Sequence, residues 1–104
     1  MEEPTFADYV TLIFTLFDRF VQACGTEVDW YSDRYEYTHR TMIVFFMMMQ
    51  QRRVFKFKRH WRWLKSHPTE REQLGFATVP DRSTVSRRYK ALYPVLHCLC
   101  RAIC

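Results

Sequence analysis

Apolar residues recur along this chain at helical spacings, separated by short polar breaks. From Thr5 to Ala23 the apolar positions Phe6, Tyr9, Val10, Ile13, Phe14, Leu16, Phe17, Phe20 and Val21 predict a helix with a wide hydrophobic face. Such width implies burial on more than one side, or an interface with a further domain. Thr5 followed by Asp8 has the form of a capping box, and Gly25 is a plausible stop. Met42 to Met49 is apolar without interruption, so it predicts a central core element. Its four methionines and low β-branched content favour a helix over Thr41–Gln51 rather than a buried strand. Next, Val54, Phe57, Trp61 and Leu64 fit one helical stripe, with Phe55 and Trp63 outside it. The alternation from Val54 to Lys58 leaves a short extended segment open there. Ser66-His67-Pro68 ends this helix. A short helix is then expected over Thr69–Leu74, with Thr69 and Glu72 as a second capping box and Gly75 as its stop. After a turn over Phe76–Pro80, Val85, Tyr89, Leu92 and Leu96 mark the inner stripe of a last helix, capped by Asp81 or Ser83. Pro94 sits in a first turn or introduces a kink. The expected fold is all-α, one domain of four to six helices with a helix-turn-helix-like C-terminal part.

Composition supports a packed domain. Of 104 residues, 48% are hydrophobic and 17% aromatic, with only two glycines, which is unlike a disordered chain. Charge is unevenly placed. Residues 1–38 hold eight acids and two bases, a balance of −6, whereas residues 39–104 hold fourteen bases and three acids, a balance of +11. An acidic part followed by a strongly basic part gives a directional field that draws a polyanion to the latter. The acidic start, Met1-Glu2-Glu3-Pro4, is unlike a signal peptide, and the eight-residue apolar run is far short of the roughly 20 residues a helix needs to span a bilayer. Reduced thiols and a cytoplasmic location are expected, since three of the four cysteines crowd the last seven residues.

The basic part has two segments suited to a polyanion. Arg52, Arg53, Lys56, Lys58, Arg59, Arg62 and Lys65 are interleaved with aromatic residues, a composition that fits phosphate contact. It also fits an interfacial membrane helix, or a surface helix whose basic side chains cover the core with their stems. On the last helix Arg82, Ser83, Ser86, Arg87 and Lys90 lie away from the apolar stripe and are the candidates for base contact, Arg87 foremost for a guanine edge. Arg88, at the edge of the stripe, is a further phosphate candidate. The same pattern fits an ordinary solvated helix or a docking helix for an acidic protein. Glu27, Asp29, Asp33 and Glu36 read as a solvated connector with aromatic anchors rather than a metal site. His97, Cys98, Cys100 and Cys104 are chemically able to bind zinc, but their spacing matches no standard finger, so no metal or cofactor is expected.

Several blocks carry a family resemblance: Thr41-Met42-Ile43-Val44-Phe45-Phe46, then Phe57-Lys58-Arg59-His60-Trp61-Arg62-Trp63-Leu64, then Leu74-Gly75-Phe76, and most specifically Val79-Pro80-Asp81-Arg82-Ser83-Thr84-Val85-Ser86-Arg87-Arg88-Tyr89-Lys90-Ala91-Leu92. Across roughly Tyr35 to Leu96 the chain resembles the N-terminal region of DDE-type insertion-sequence transposases. The resemblance implies a module that helps bind transposon ends, with double-stranded inverted-repeat DNA as partner and a nucleoid-associated location in a bacterium. It also implies that catalysis resides elsewhere, because the RNase-H-like domain with its metal-binding carboxylates has no counterpart here, and none of the eleven acids carries over to that role. The alternatives are a fragment that pairs with itself or with full-length transposase through its apolar first helix or apolar tail, and a remnant with no retained role.

Overall fold

Eight consecutive residues, Met42 to Met49, are buried to 1% exposure or less, so the helix that carries them must be covered on every side. The computed structural model describes Glu3, residues 5–24, Trp30 and residues 37–103, apart from the side chains of Cys24, Leu99, Cys100, Ala102 and Ile103. Among the described residues there are five helices and no strand: α1 (Phe6–Cys24), α2 (His39–Gln51), α3 (Phe57–Ser66), α4 (Pro68–Leu74) and α5 (Arg82–Ile103). The all-α expectation is met. The central helix is α2, with α5 packed most extensively against it, α1 and α4 also touching it, and α3 lying against α5.

Several of the helix ends have a local cause. At α1 the reciprocal capping box forms: the Thr5 amide donates to Asp8 Oδ2 at 3.0 Å and the Asp8 amide donates to Thr5 Oγ1 at 3.2 Å. One face of α1 buries Val10, Ile13 and Phe17, with Phe6, Tyr9, Phe14, Phe20 and Val21 half-buried beside them. Leu12 remains 54% exposed. α2 starts at His39, two residues before the expected Thr41, because Thr38 Oγ1 accepts the Thr41 amide at 3.1 Å. At its far end the Arg53 and Val54 amides donate to Gln50 O and Met49 O at 3.0 and 2.8 Å, and Arg53 takes a left-handed φ of 59° where glycine is usual.

The second capping box does not form. Pro68 occupies the first turn of α4, which places Thr69 inside the helix, and His67 precedes it without a side-chain cap. The C-terminal carbonyls of α3 are met instead by side chains at and beyond its junction with α4: Ser66 Oγ donates to Arg62 O at 2.9 Å, His67 Nδ1 to Trp63 O at 2.8 Å and Arg71 Nη1 to Leu64 O at 3.1 Å. α4 closes as the stop predicted at Gly75 requires. The Gly75 amide donates to Glu72 O at 3.1 Å, the Phe76 amide to Arg71 O at 2.8 Å, and Gly75 has φ of 108°. Phe76 then turns inward and is fully buried between Tyr37 and Phe45, at ring distances of 5.0 and 5.5 Å.

The inner stripe of α5 is as expected, with Val85, Leu92 and Leu96 buried and Tyr89 half-buried. Pro94 lies within the continuous helix. The helix-turn-helix reading holds for element order only: α5 packs chiefly on α2 and α3, whereas the short α4 packs chiefly on α1. The stripe expected for residues 54–64 is shifted. His60, Trp63 and Leu64 form the buried face of α3, Phe57 and Trp61 flank it, and residues 52–56 are a connection. His60 sits among Phe45, Phe46 and Tyr89, with ring distances of 5.9, 5.6 and 4.9 Å. Its Nε2–H donates to Val54 O at 2.7 Å, which fixes the neutral tautomer, and its Nδ1 is buried with no hydrogen-bond partner. Burial pushes its pKa down from the ordinary imidazole value, partly offset by the bond to Val54.

At Gly75 an added Cβ would meet only the Thr41 side chain, at 3.4 and 3.6 Å. The backbone conformation therefore sets the cost, and Gly75→Ala should lower unfolding free energy by about 1–2 kcal/mol in urea titrations. For His60 the folded state disfavours the imidazolium, so unfolding takes up a proton once the pH falls below the unfolded-state pKa of about 6.5. Its contribution is nil above that value and increasingly destabilising below it, with a slope of at most about 1.4 kcal/mol per pH unit. Stability measured from pH 7.5 to pH 5 should fall less steeply in His60→Phe than in the parent chain.

Candidate nucleic-acid interface

α5 is 22 residues long, which spans about 33 Å. Its docking through Val85, Leu92 and Leu96 fixes its rotation. At about 100° per residue the side chains of Arg82, Ser83, Ser86, Arg87 and Lys90 then fall within an outward arc of about 140°. Arg82, Ser83, Arg87 and Lys90 are exposed, and Ser86 is partly covered. The five base-contact candidates therefore lie on one half of the helix, with Arg82 and Arg87 at its two edges.

α3 is oriented by the same logic. With His60, Trp63 and Leu64 inward, Lys58, Arg59, Arg62 and Lys65 are all exposed and occupy an arc of about 120°. The α3–α5 contact brings the two faces together at one place. Phe57 and Lys58 from α3 and Arg82, Ser83 and Ser86 from α5 line an open hollow of about 480 Å³. Two cations and two hydroxyls around an apolar floor suit a sugar–phosphate segment: the charges neutralise the phosphate, and the hydroxyls donate to its oxygens.

The remaining candidates are distributed. Arg87 lies on the other flank of α5, where it joins Tyr37, Thr78, Pro80, Asp81 and Thr84 around a hollow of about 330 Å³. Arg59 and Arg62 border a third hollow with Val54, Trp63, Ser66 and His67. Lys65 Nζ sits 4.4 Å from the centroid of the Trp61 ring, a cation–π contact that holds the ammonium at the surface. Arg52 is exposed, yet its guanidinium carbon lies 5.6 Å from the Phe6 ring centroid and 5.8 Å from that of Trp63. Arg53 and Lys56 are exposed in the connection between α2 and α3.

Arg88 requires a correction. It is 9% exposed, and both of its terminal nitrogens bond internally: Nη1 donates to Tyr37 O at 2.7 Å and Nη2 to His39 Nδ1 at 2.9 Å. This guanidinium ties α5 to the start of α2 and is not displayed for a phosphate. Tyr37 is in turn fixed by its hydroxyl, which donates to Thr78 O at 2.9 Å. The chain of interactions Thr78–Tyr37–Arg88 thus sets where the turn before α5 sits. Across the core Arg40 forms a two-pronged pair with Asp18, both distances 2.8 Å, and covers the Phe14 ring at 4.2 Å.

No family model, curated protein or solved structure matches the chain. Among the described residues no group of three or more metal-ligating side chains converges. His97 and Cys98 are exposed on α5, and the His97 ring stacks on Tyr93 with centroids 6.3 Å apart. The side chains of Cys100 and Cys104 lie outside the described residues, as do Glu27, Asp29, Asp33 and Glu36 of the acidic connector. Two of its aromatic anchors are placed: Trp30, within it, is buried edge-on against Phe17 at 5.0 Å, and Tyr37, at its end, is buried against Phe76. No helix among the described residues is long and apolar enough to cross a membrane.

Because Arg88 serves the fold, its replacement should act on stability. Arg88→Ala leaves the Tyr37 carbonyl unmet and opens space beside it, and should cost about 2–4 kcal/mol in denaturant unfolding. Surface replacements such as Arg59→Ala should stay within about 0.5 kcal/mol in the same assay.

Proposed function

We propose that this chain is a double-stranded DNA-binding module of the transposon-end-binding type, without catalytic activity of its own. The carrying observation is the joined basic surface of α3 and α5, where Lys58 meets Arg82, Ser83 and Ser86 around one hollow. In this reading the N-terminal half of α5 enters the major groove. Arg87, Arg82 and Lys90 reach base edges there, and Ser83 and Ser86 bond to bases or to the adjoining backbone. Lys56, Lys58, Arg59, Arg62 and Lys65, with Arg52 and Arg53, neutralise phosphates on either side of the groove. That part of the affinity is independent of sequence and falls with salt. The balance of +11 over residues 39–104 speeds encounter with the polyanion, and the acidic balance of residues 1–38 orients it. A cytoplasmic, nucleoid-associated location belongs to the same proposal, as do a full-length transposase or a second copy of the chain as protein partners.

The test is binding of the purified chain to inverted-repeat duplex and to scrambled duplex of equal length across a salt series. A preference for the inverted repeat that persists at roughly physiological salt is the expected result. Arg87→Ala should remove about 1–3 kcal/mol of that preference and leave affinity for scrambled duplex nearly unchanged. Lys56→Ala or Arg59→Ala should weaken binding to both duplexes alike and lower the salt slope by about one. Equal losses on both duplexes for all three variants would overturn this division of labour.

A further inference from the structure

The connection between α2 and α3 has an aromatic ring where the fold has no use for one. Phe55 is 54% exposed, and the residues on either side of it in the chain are pinned or charged. Val54, just before it, is held from both directions: its amide donates to Met49 O at 2.8 Å, and its carbonyl accepts the buried His60 Nε2–H at 2.7 Å. Arg53 turns the chain out of α2 with a left-handed φ of 59°, a conformation that non-glycine residues adopt rarely. Lys56 then leads into α3. The backbone that carries Phe55 is therefore fixed at its base while the ring stands in solvent.

The charged residues nearest this ring along the chain are of one sign. Arg53, Lys56, Lys58 and Arg59 are all exposed, and no acid lies between Arg40 and Glu70 in the sequence. Val54 also lines the hollow bordered by Arg59 and Arg62, so cations flank the position beside the ring. An exposed aromatic on a firm base among guanidinium and ammonium groups is complementary to one chemical object above others: a nucleobase with its own phosphates. Each base offers a flat π-face to the ring, and the neighbouring phosphates meet the cations.

Resting on the DNA-binding reading above, we propose that Phe55 is a stacking residue for an unpaired nucleobase, so that the chain binds a duplex carrying a short single-stranded extension more tightly than the same duplex with blunt ends. The ring takes the place of the neighbouring base in the stack, and Arg53, Lys56 and Arg59 hold the backbone on both sides of the unpaired nucleotide. A stacked base of this kind is worth roughly a 5- to 160-fold change in affinity on removal of the ring.

The experiment compares the parent chain with Phe55→Ala, Phe55→Leu and Phe55→Trp on a blunt duplex, on the same duplex with a three-nucleotide extension, and on the extended duplex with 2-aminopurine in the extension. Phe55 lies outside the core, so all four chains should have the same circular dichroism and urea midpoint. The expected result is tighter binding of the extended duplex by the parent, with quenching of 2-aminopurine fluorescence. Phe55→Ala and Phe55→Leu should lose both and keep blunt-duplex affinity, and Phe55→Trp should retain both. Equal affinity of the parent for blunt and extended duplexes, or an extension preference unchanged in Phe55→Ala, overturns the stacking role and leaves duplex binding standing. Binding to no nucleic acid at low salt overturns both readings together. Phe55-dependent binding to vesicles containing anionic lipid, without the extension preference, assigns the ring to a membrane surface and overturns the proposal as well.

Discussion

The constraint that the other helices answer to is the apolarity of α2 around its whole circumference. A helix in a domain of this size normally keeps a polar face in water. From Met42 to Met49 there is none, and a single covering helix protects only one side. Four other helices are recruited: α5 and α1 as long covers, α4 as a short one, and α3 by way of Trp63 and His60, whose rings reach Phe45 and Phe46. Leucine-like packing is supplemented by aromatic edges, since Phe45 alone touches Phe46, His60, Trp63 and Phe76. The rotations of α3 and α5 about their own axes are set by this requirement. Their basic faces are the remainder after the apolar stripes have been placed, and it is this placement that sets Lys58 beside Arg82.

Polar contacts then select one arrangement among the apolar packings. Arg40 with Asp18 joins α2 to α1, and Arg88 with Tyr37 O and His39 joins α5 to the beginning of α2. A buried guanidinium is costly to desolvate, and it is retained here with two acceptors at short distance. Such pairs add little net stability, but a one-turn slip of α5 would strand the charge. The effect is to fix the axial position of the candidate reading helix, which is the coordinate a groove-binding element needs fixed.

Local signals in the sequence are the readable ones. The Thr5–Asp8 box, the Gly75 stop, the uninterrupted apolar run and the Val85–Leu96 stripe each depend on residues within a few turns, and each appears in the structure. The misreadings arise from contacts that span many residues or from competition between neighbours. Arg88 looks like an edge cation because its acceptor, Tyr37 O, is 51 positions away. Thr69 loses its capping role because Pro68 takes the first turn. Periodicity phased from Val54, which belongs to the connection, turns Trp63 outward and leaves His60 among the polar positions. Of the candidate interface, the membership of the exposed face of α5 is legible from periodicity. Its junction with Lys58 is not, since nothing in the sequence specifies how α3 leans on α5.

The burial of α2 also gives the protein a chemical asymmetry. Met42, Met47, Met48 and Met49 lie at 1% exposure or less, so peroxide reaches their thioethers only when the helices part. Conversion to the sulfoxide makes each one polar, and a chain that closes again must bury that new dipole in its centre. A sulfoxide at any one of them therefore works against the burial on which the packing of α2 depends.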